Sequence, residues 1–202
     1  MRTRMSMLAL ILMAGLGLPR ALEAQQIGRW MVIPAWSPVL PVGEATTGFV
    51  DHFSWRGGTV DILKTVTDRV RVGVSAGWHV LDDAFSGTVP LSNGALTGTF
   101  RTYFNSVPLL AVGSYRFGGR WAFQPVVQAG TGTIYGQNRV EAGTIDVEDG
   151  NWHWGLMAGA GLEWPRPSGS TWSLVGRYYH ALEANGIERQ YVTFSLGYRI
   201  GG

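Results

Sequence analysis

The tightest constraint on this chain is a period of two that runs on for longer than an ordinary strand. From position 70 to 80 it reads VRVGVSAGWHV, with Val70, Val72, Val74, Ala76, Trp78 and Val80 on one face. Arg71, Gly73, Ser75, Gly77 and His79 share the other. Between 152 and 164, Trp152, Trp154, Leu156, Ala158, Ala160, Leu162 and Trp164 alternate with a face that includes His153, Gly155, Gly159, Gly161 and Glu163. Between 192 and 200, Val192, Phe194, Leu196, Tyr198 and Ile200 alternate with Thr193, Ser195, Gly197 and Arg199. Successive side chains of a strand point to opposite faces, so each stretch has an apolar face and a polar, glycine-rich one. No stretch sustains the 3.6-residue period of a helix.

The same reading places eight strands, at about 28–38, 54–64, 69–80, 103–117, 120–136, 152–165, 171–182 and 189–200. The connections TVTDR, GG and RPSGS are short, whereas 39–53, 81–102, 137–151 and 183–188 are mostly longer and polar. Short turns at one end and long loops at the other are the pattern of an outer-membrane barrel. The fold class expected is therefore all-β, an eight-stranded antiparallel transmembrane β-barrel. An even strand count puts both termini on the short-turn, periplasmic side.

Aromatic residues mark the limits of the apolar face. Trp30, Tyr115, Phe117, Trp121, Phe123, Trp164, Trp172 and Tyr198 fall at the short-turn ends of the strands. Trp36, Trp55, Trp78, Tyr135, Trp152, Trp154, Tyr178 and Tyr191 fall near the opposite ends. Amphipathic rings prefer the membrane interface, so two girdles with Val, Leu and Ala between them fit a lipid slab. A soluble barrel would turn the apolar face inward and coat its outside with charge. This chain has one lysine, Lys64, and nine tryptophans.

The polar face carries the charges that a narrow barrel must accommodate. Arg116 in YRFGG and Arg199 in YRIGG each sit between apolar neighbours, just before a glycine pair. On alternation they point inward, with Asp61, Arg71, Glu163 and Arg177. Asp61 and Arg71 flank TVTDR almost symmetrically, which would set them side by side across a hairpin. Eight strands leave an interior that side chains fill, and buried charges must be paired, so a salt-bridged plug is expected rather than a polar pore.

The segments FQPVVQAGTGTIYG, WHWGLMAGAGLEW, WSLVGRYYHAL and YVTFSLGYRI resemble the small bacterial outer-membrane β-barrel domain family, the eight-stranded OmpA/OmpX type. The likeness is good over the last hundred residues and looser before them. It implies insertion by the barrel-assembly machinery and contact with outer-membrane lipids and lipopolysaccharide. It specifies fold much better than activity. The alternating last strand resembles the family's C-terminal signal, although it ends Ile200-Gly201-Gly202 and not in phenylalanine.

The segment RYYHALEANG resembles the histidine strand of outer-membrane lipid A deacylases, which are also small barrels. That family uses a serine two residues after the histidine. Here the position is Leu182, Asn185 comes later than the family's asparagine, and Glu183 and Glu188 miss the spacing of its acid. Without the hydroxyl a Ser–His–acid device has no nucleophile. His52, His79 and His153 show no metal-ligand spacing and read as rim or solvated residues. Asp82 and Asp83, and Glu141, Asp146, Glu148 and Asp149, make two loops acidic and read as solvated. The expectation is a non-catalytic barrel with no cofactor and no metal, in a structural or surface-display and adhesion role. The alternatives are a narrow pore and a deacylase-like enzyme.

Residues 1–24 have the layout of a secretory signal peptide: Arg2 and Arg4, an apolar run from Met7 to Leu18, then small residues near Ala24. The barrel domain is then 25–202. Removing Arg2, Arg4, Arg20 and Glu23 turns 16 basic and 14 acidic residues into 13 of each. A neutral domain gives no electrostatic footprint for nucleic acid. The absence of cysteine excludes disulfides and thiolate metal sites. An unidentified surface ligand for the loops is the remaining partner class.

Overall fold

Each alternating stretch becomes a strand of one closed antiparallel sheet. The computed structural model describes residues 27–91, 94–118, 122–142, 145–166 and 169–200. Its elements are β1 (Trp30–Trp36), β2 (Val39–Val42), a helical turn α1 (Glu44–Thr47), β3 (Gly57–Thr65), β4 (Val70–Leu91), β5 (Gly94–Arg116), β6 (Gln124–Ala142), β7 (Ile145–Pro165), β8 (Thr171–Ala184) and β9 (Ile187–Arg199). The strands follow the order β1-β3-β4-β5-β6-β7-β8-β9-β2, and β1 also pairs with β9. β1 and β2 meet β9 in a single register, Ala35 opposite Gly197 and Val39 opposite Thr193. They are one barrel strand interrupted at Ser37–Pro38, because proline cannot donate to the ladder. The result is an eight-membered ring. The expected leader lies outside the described residues, as do Trp121 and Gly119.

The lipid-facing surface is apolar. Val60, Ile62, Val72, Val74, Leu109, Val127, Leu156, Leu162, Leu174, Phe194 and Leu196 are exposed, while their strand neighbours point inward. Trp30, Tyr115, Phe117, Trp172 and Tyr198 are exposed at the short-turn end, and Trp36, Trp78, Trp154 and Tyr178 at the other. Trp164 and Tyr135 are half-buried, each against a ring neighbour, Phe123 at 5.5 Å and Trp152 at 5.2 Å. Two sidedness readings need correction. Tyr191 is fully buried inside the barrel, as its parity with Thr193 requires. Val80 is buried because the chain before β3 runs alongside it, with the Val80 N–H donating to the Arg56 carbonyl at 2.9 Å.

The long connections are largely not loops. β4 has 22 residues and β5 has 23, against the nine to eleven that cross a bilayer. Past His79, β4 has no partner in β3, and before Gly155, β7 has none in β8. The ladders Asp82↔Tyr103, Thr102↔Val140 and Val140↔Val147 nonetheless continue. Four strands thus project beyond the ring as an open blade. Thr88–Thr97 and Ser86–Thr99 hydroxyl pairs lie on one face, and the Phe85–Phe100 stack, with centroids 5.0 Å apart, lies on the other. The connection 183–188 shrinks to a tight turn at Asn185 (φ 54°) and Gly186 (φ 77°), a pair suited to two positive φ values. Gly118 does not adopt positive φ, since β5 stops at Arg116 and a longer connection follows.

Candidate functional site

The interior is layered along the barrel axis, and the chemistry of each layer is set by which inward positions the register aligns. Nearest the short turns, the Arg71 guanidinium donates twice to the Glu163 carboxylate, at 2.5 and 2.9 Å. Both side chains are almost fully buried. Arg116 donates to Gln124 at 3.0 Å and to the Asp68 carbonyl at 2.7 Å, and Arg199 donates to the Gly169 carbonyl at 3.1 Å. One level deeper, Arg177 grips Asp61 with both terminal nitrogens and donates its Nε–H to Gln128 at 3.0 Å. Ser75 donates to Asp61 at 2.6 Å.

Asp61 and Arg71 are therefore not partners. The β3–β4 register sets Asp61 opposite Ser75 and Arg71 opposite Thr65, and each charge finds its counterion across the barrel. Near-symmetry about a turn does not fix register when the turn's own length is free.

Above the ion pairs the interior changes character. The His79 ring nitrogens lie 3.2 Å from the Thr59 and Tyr191 hydroxyls. The Tyr191 hydroxyl also meets Ser106 at 2.8 Å, and its ring stacks on Tyr179 at 4.9 Å. Val39, Val50, Leu81, Phe104, Ile134 and Ala181 form an apolar layer beyond. The segment carrying α1 folds over this end: Arg189 donates to the Ala45 carbonyl at 2.6 Å and lies 5.3 and 5.6 Å from the Phe49 and Phe104 rings. Sequence reasoning missed this apolar half. Leu81, Phe104, Ile134 and Met157 stand on the polar-face parity, which was the available signal. His79 and His153 are likewise buried, not rim residues, and His153 Nδ1 lies 2.9 Å from the Leu182 carbonyl oxygen.

Outside the interior, two smaller clusters form. His180 Nε2 meets Glu188 at 2.7 Å across the β8–β9 turn, so the tight turn supplies the acid that linear spacing seemed to deny. Leu182 still occupies the nucleophile's place. Beyond the ring, His52 Nδ1 lies 2.6 Å from Asp51 and 2.9 Å from Asp83, tying the segment after α1 to β4. The donor atoms of these three residues lie within 4.8 Å of one another. The Asp83 hydrogen bond, then its charge and that of Asp51, raise the His52 pKa above the ordinary histidine value.

This ring of eight lipid-faced strands with a filled polar–apolar interior matches a known family. The family model described as "Outer membrane protein beta-barrel domain" covers residues 9–199. The chain belongs to that family. Its place is the bacterial outer membrane, and the lipids of that membrane contact its apolar face. Among solved structures, the barrel is similar to Neisserial surface protein A, with 15% identity, 86% of this chain and 96% of that one covered, and a TM-score of 0.54. It is similar to the outer membrane protein OprG of Pseudomonas aeruginosa at 14% identity, covering 90% and 100%, with a TM-score of 0.53. Ail, the attachment invasion locus protein of Yersinia pestis, aligns at 14% identity over 87% and 100%, with a TM-score of 0.48. At these identities the likeness is one of fold. No curated protein sequence matches the barrel.

Proposed function

We propose that this protein is a non-catalytic outer-membrane scaffold that displays a four-stranded β-blade for adhesion at the cell surface. The blade carries the reading. β4–β7 continue their ladders well past the ring, and extension beyond the bilayer adds nothing to membrane anchorage. Its β4 edge, from Ala84 to Val89, contains no charged residue, while the β7 edge bears Asp146, Glu148 and Asp149. Charge on one edge discourages strand addition there and leaves the other open to a partner. The short turns, and with them both termini, face the periplasm, and the barrel-assembly machinery inserts the chain. The two ion-pair layers and the apolar layer support a plugged interior. Leu182 beside His180 supports the absence of deacylase chemistry.

The test replaces residues 83–102 by a short turn and compares binding of the expressing cells to host-surface proteins. The truncated barrel keeps its heat-modifiable gel migration and loses binding. Retained binding overturns the adhesive role. Lipid A from expressing cells keeps its acyl chains by mass spectrometry, and a lost chain that returns on His180→Ala overturns the non-catalytic reading. Because the chain has no cysteine, single cysteines at Thr97 and Ser170 report orientation: an impermeant thiol reagent on intact cells labels the first alone.

A further inference from the structure

The lipid-facing wall is not evenly covered at its outer end. Trp36, Gly58 and Trp78 stand directly opposite one another on β1, β3 and β4, so a residue without a side chain separates two exposed indoles. Neighbouring strands lie about 4.8 Å apart, which sets the two tryptophan backbones about 10 Å apart. The next outward row, Pro34, Val60 and Ala76, carries compact side chains. These six residues line an open groove of about 600 Å³. The row beyond, Val32, Ile62 and Val74, carries three β-branched side chains and takes no part in it. One wall is held in place. The Trp36 Nε1–H donates to the Trp55 carbonyl at 2.9 Å, and the two rings stack with centroids 5.6 Å apart. Arg56, two residues before Gly58, has a side chain 59% exposed, and its Nη1 lies 3.8 Å from Asp82, beyond hydrogen-bond distance.

We propose that this groove seats one acyl chain of lipid A, with Arg56 on a phosphate of the same molecule. The groove opens toward the bilayer at the outer girdle, so the molecule that covers it is a lipid of the outer leaflet. A tail gains nothing hydrophobic by leaving other tails, and what holds it is close packing against the two indoles. An anionic headgroup adds a charge-assisted bond to the guanidinium. The choice of lipid A rests on the reading that the short turns face the periplasm. Thiol labelling at Thr97 tests that reading by itself, and binding to the purified barrel does not depend on it.

The full-length barrel in detergent is titrated with purified lipid A, and bound lipid is counted by native mass spectrometry. One lipid A is held per barrel, and phosphatidylglycerol at equal concentration does not displace it. Gly58→Leu fills the groove and weakens binding several-fold. A Cβ at Gly58 meets nothing nearer than the Ala35 carbonyl oxygen at 3.7 Å, so this variant folds, and heat-modifiable migration checks it. Should it not fold, Trp78→Ala, which removes the other wall, decides by the same loss. Gly176 is an equally roomy position on the lipid face of β8, with the Ala160 carbonyl oxygen at 3.8 Å, and Gly176→Leu leaves binding unchanged. Arg56→Gln weakens binding about tenfold, the effect of losing a charged hydrogen bond. Asp82→Asn, which removes the competing carboxylate, strengthens it. The proposal is overturned if no lipid A is retained, if phosphatidylglycerol competes equally, if Gly176→Leu loses as much as Gly58→Leu, or if folded Gly58→Leu or Arg56→Gln binds as wild type does.

Discussion

Buried charge is the most consequential choice at the scale of single residues. Asp61 and Arg177 are each at most 3% exposed in their side chains, and each is the other's counterion. Asp61→Asn leaves the guanidinium uncompensated and destabilises the barrel by about 3–5 kcal/mol, whereas the apolar double variant Asp61→Leu with Arg177→Met regains most of that loss. Urea unfolding of the barrel in vesicles measures both. On the exposed segment after α1, His52 has the opposite character. Its raised pKa means that the protonated ring holds Asp51 and Asp83 together. That contact is complete below the ordinary histidine pKa and is lost as pH rises through the raised value. Asp83→Asn lowers the titration midpoint in NMR spectra; an unchanged midpoint refutes the assignment. Parity made every member of the inward set Asp61, Arg71, Arg116, Glu163, Arg177 and Arg199 legible in the sequence. Their partners were not, because pairing across a barrel depends on stagger, which no local pattern records.

Among elements, strand faces were readable and strand lengths were not. The alternation from Val72 to Trp78 gives the lipid face of β4 directly, yet the strand runs on to Leu91. From Ala84 to Thr88 the contrast between faces is lost because both sides of β4 meet water there. Two substitutions in β4 separate lipid contact from close packing. Val74 is 47% exposed on the apolar band, and Val74→Arg costs about 2–4 kcal/mol there. Thr99→Arg on the blade stays within about 0.5 kcal/mol. A Cβ added at Gly73 would stand 1.9 Å from the Ile62 carbonyl oxygen. Gly73→Ala therefore forces β3 and β4 apart and costs about 1–3 kcal/mol. Equal stability of Val74→Arg and wild type in vesicles would contradict the membrane assignment of this face.

For the molecule as a whole, the filled interior predicts a barrel that does not conduct. The ion-pair layers, the His79–Tyr191 layer and the folded-over α1 segment succeed one another from one mouth to the other. Planar bilayers containing the purified barrel show no discrete conductance steps; steps that change on Arg177→Ala would establish a pore instead. A plug of charges was foreseeable from the sequence, but its apolar half was not: Leu81, Phe104 and Ile134 stand on the inward parity, yet apolar side chains there depart from the polar face that the central stretches set. The break at Ser37–Pro38 bears on how the cylinder comes together. Direct β1–β9 pairing amounts to Ala35↔Gly197 and Trp36↔Leu196 with a bridge at Val32↔Ile200, while Met31, Ile33 and Leu63 gather in a small cluster of their own. With the β2–β9 pairs from Val39↔Thr193 to Val42↔Gln190, first and last strands thus meet along a ladder broken at Ser37–Pro38, whereas the β5–β6 ladder runs unbroken from Phe100 to Arg116. Amide protons of Ala35 and Gly197 should exchange with deuterium ahead of those in the β5–β6 ladder, and the newly made chain would close there last, once its other hairpins are already zipped.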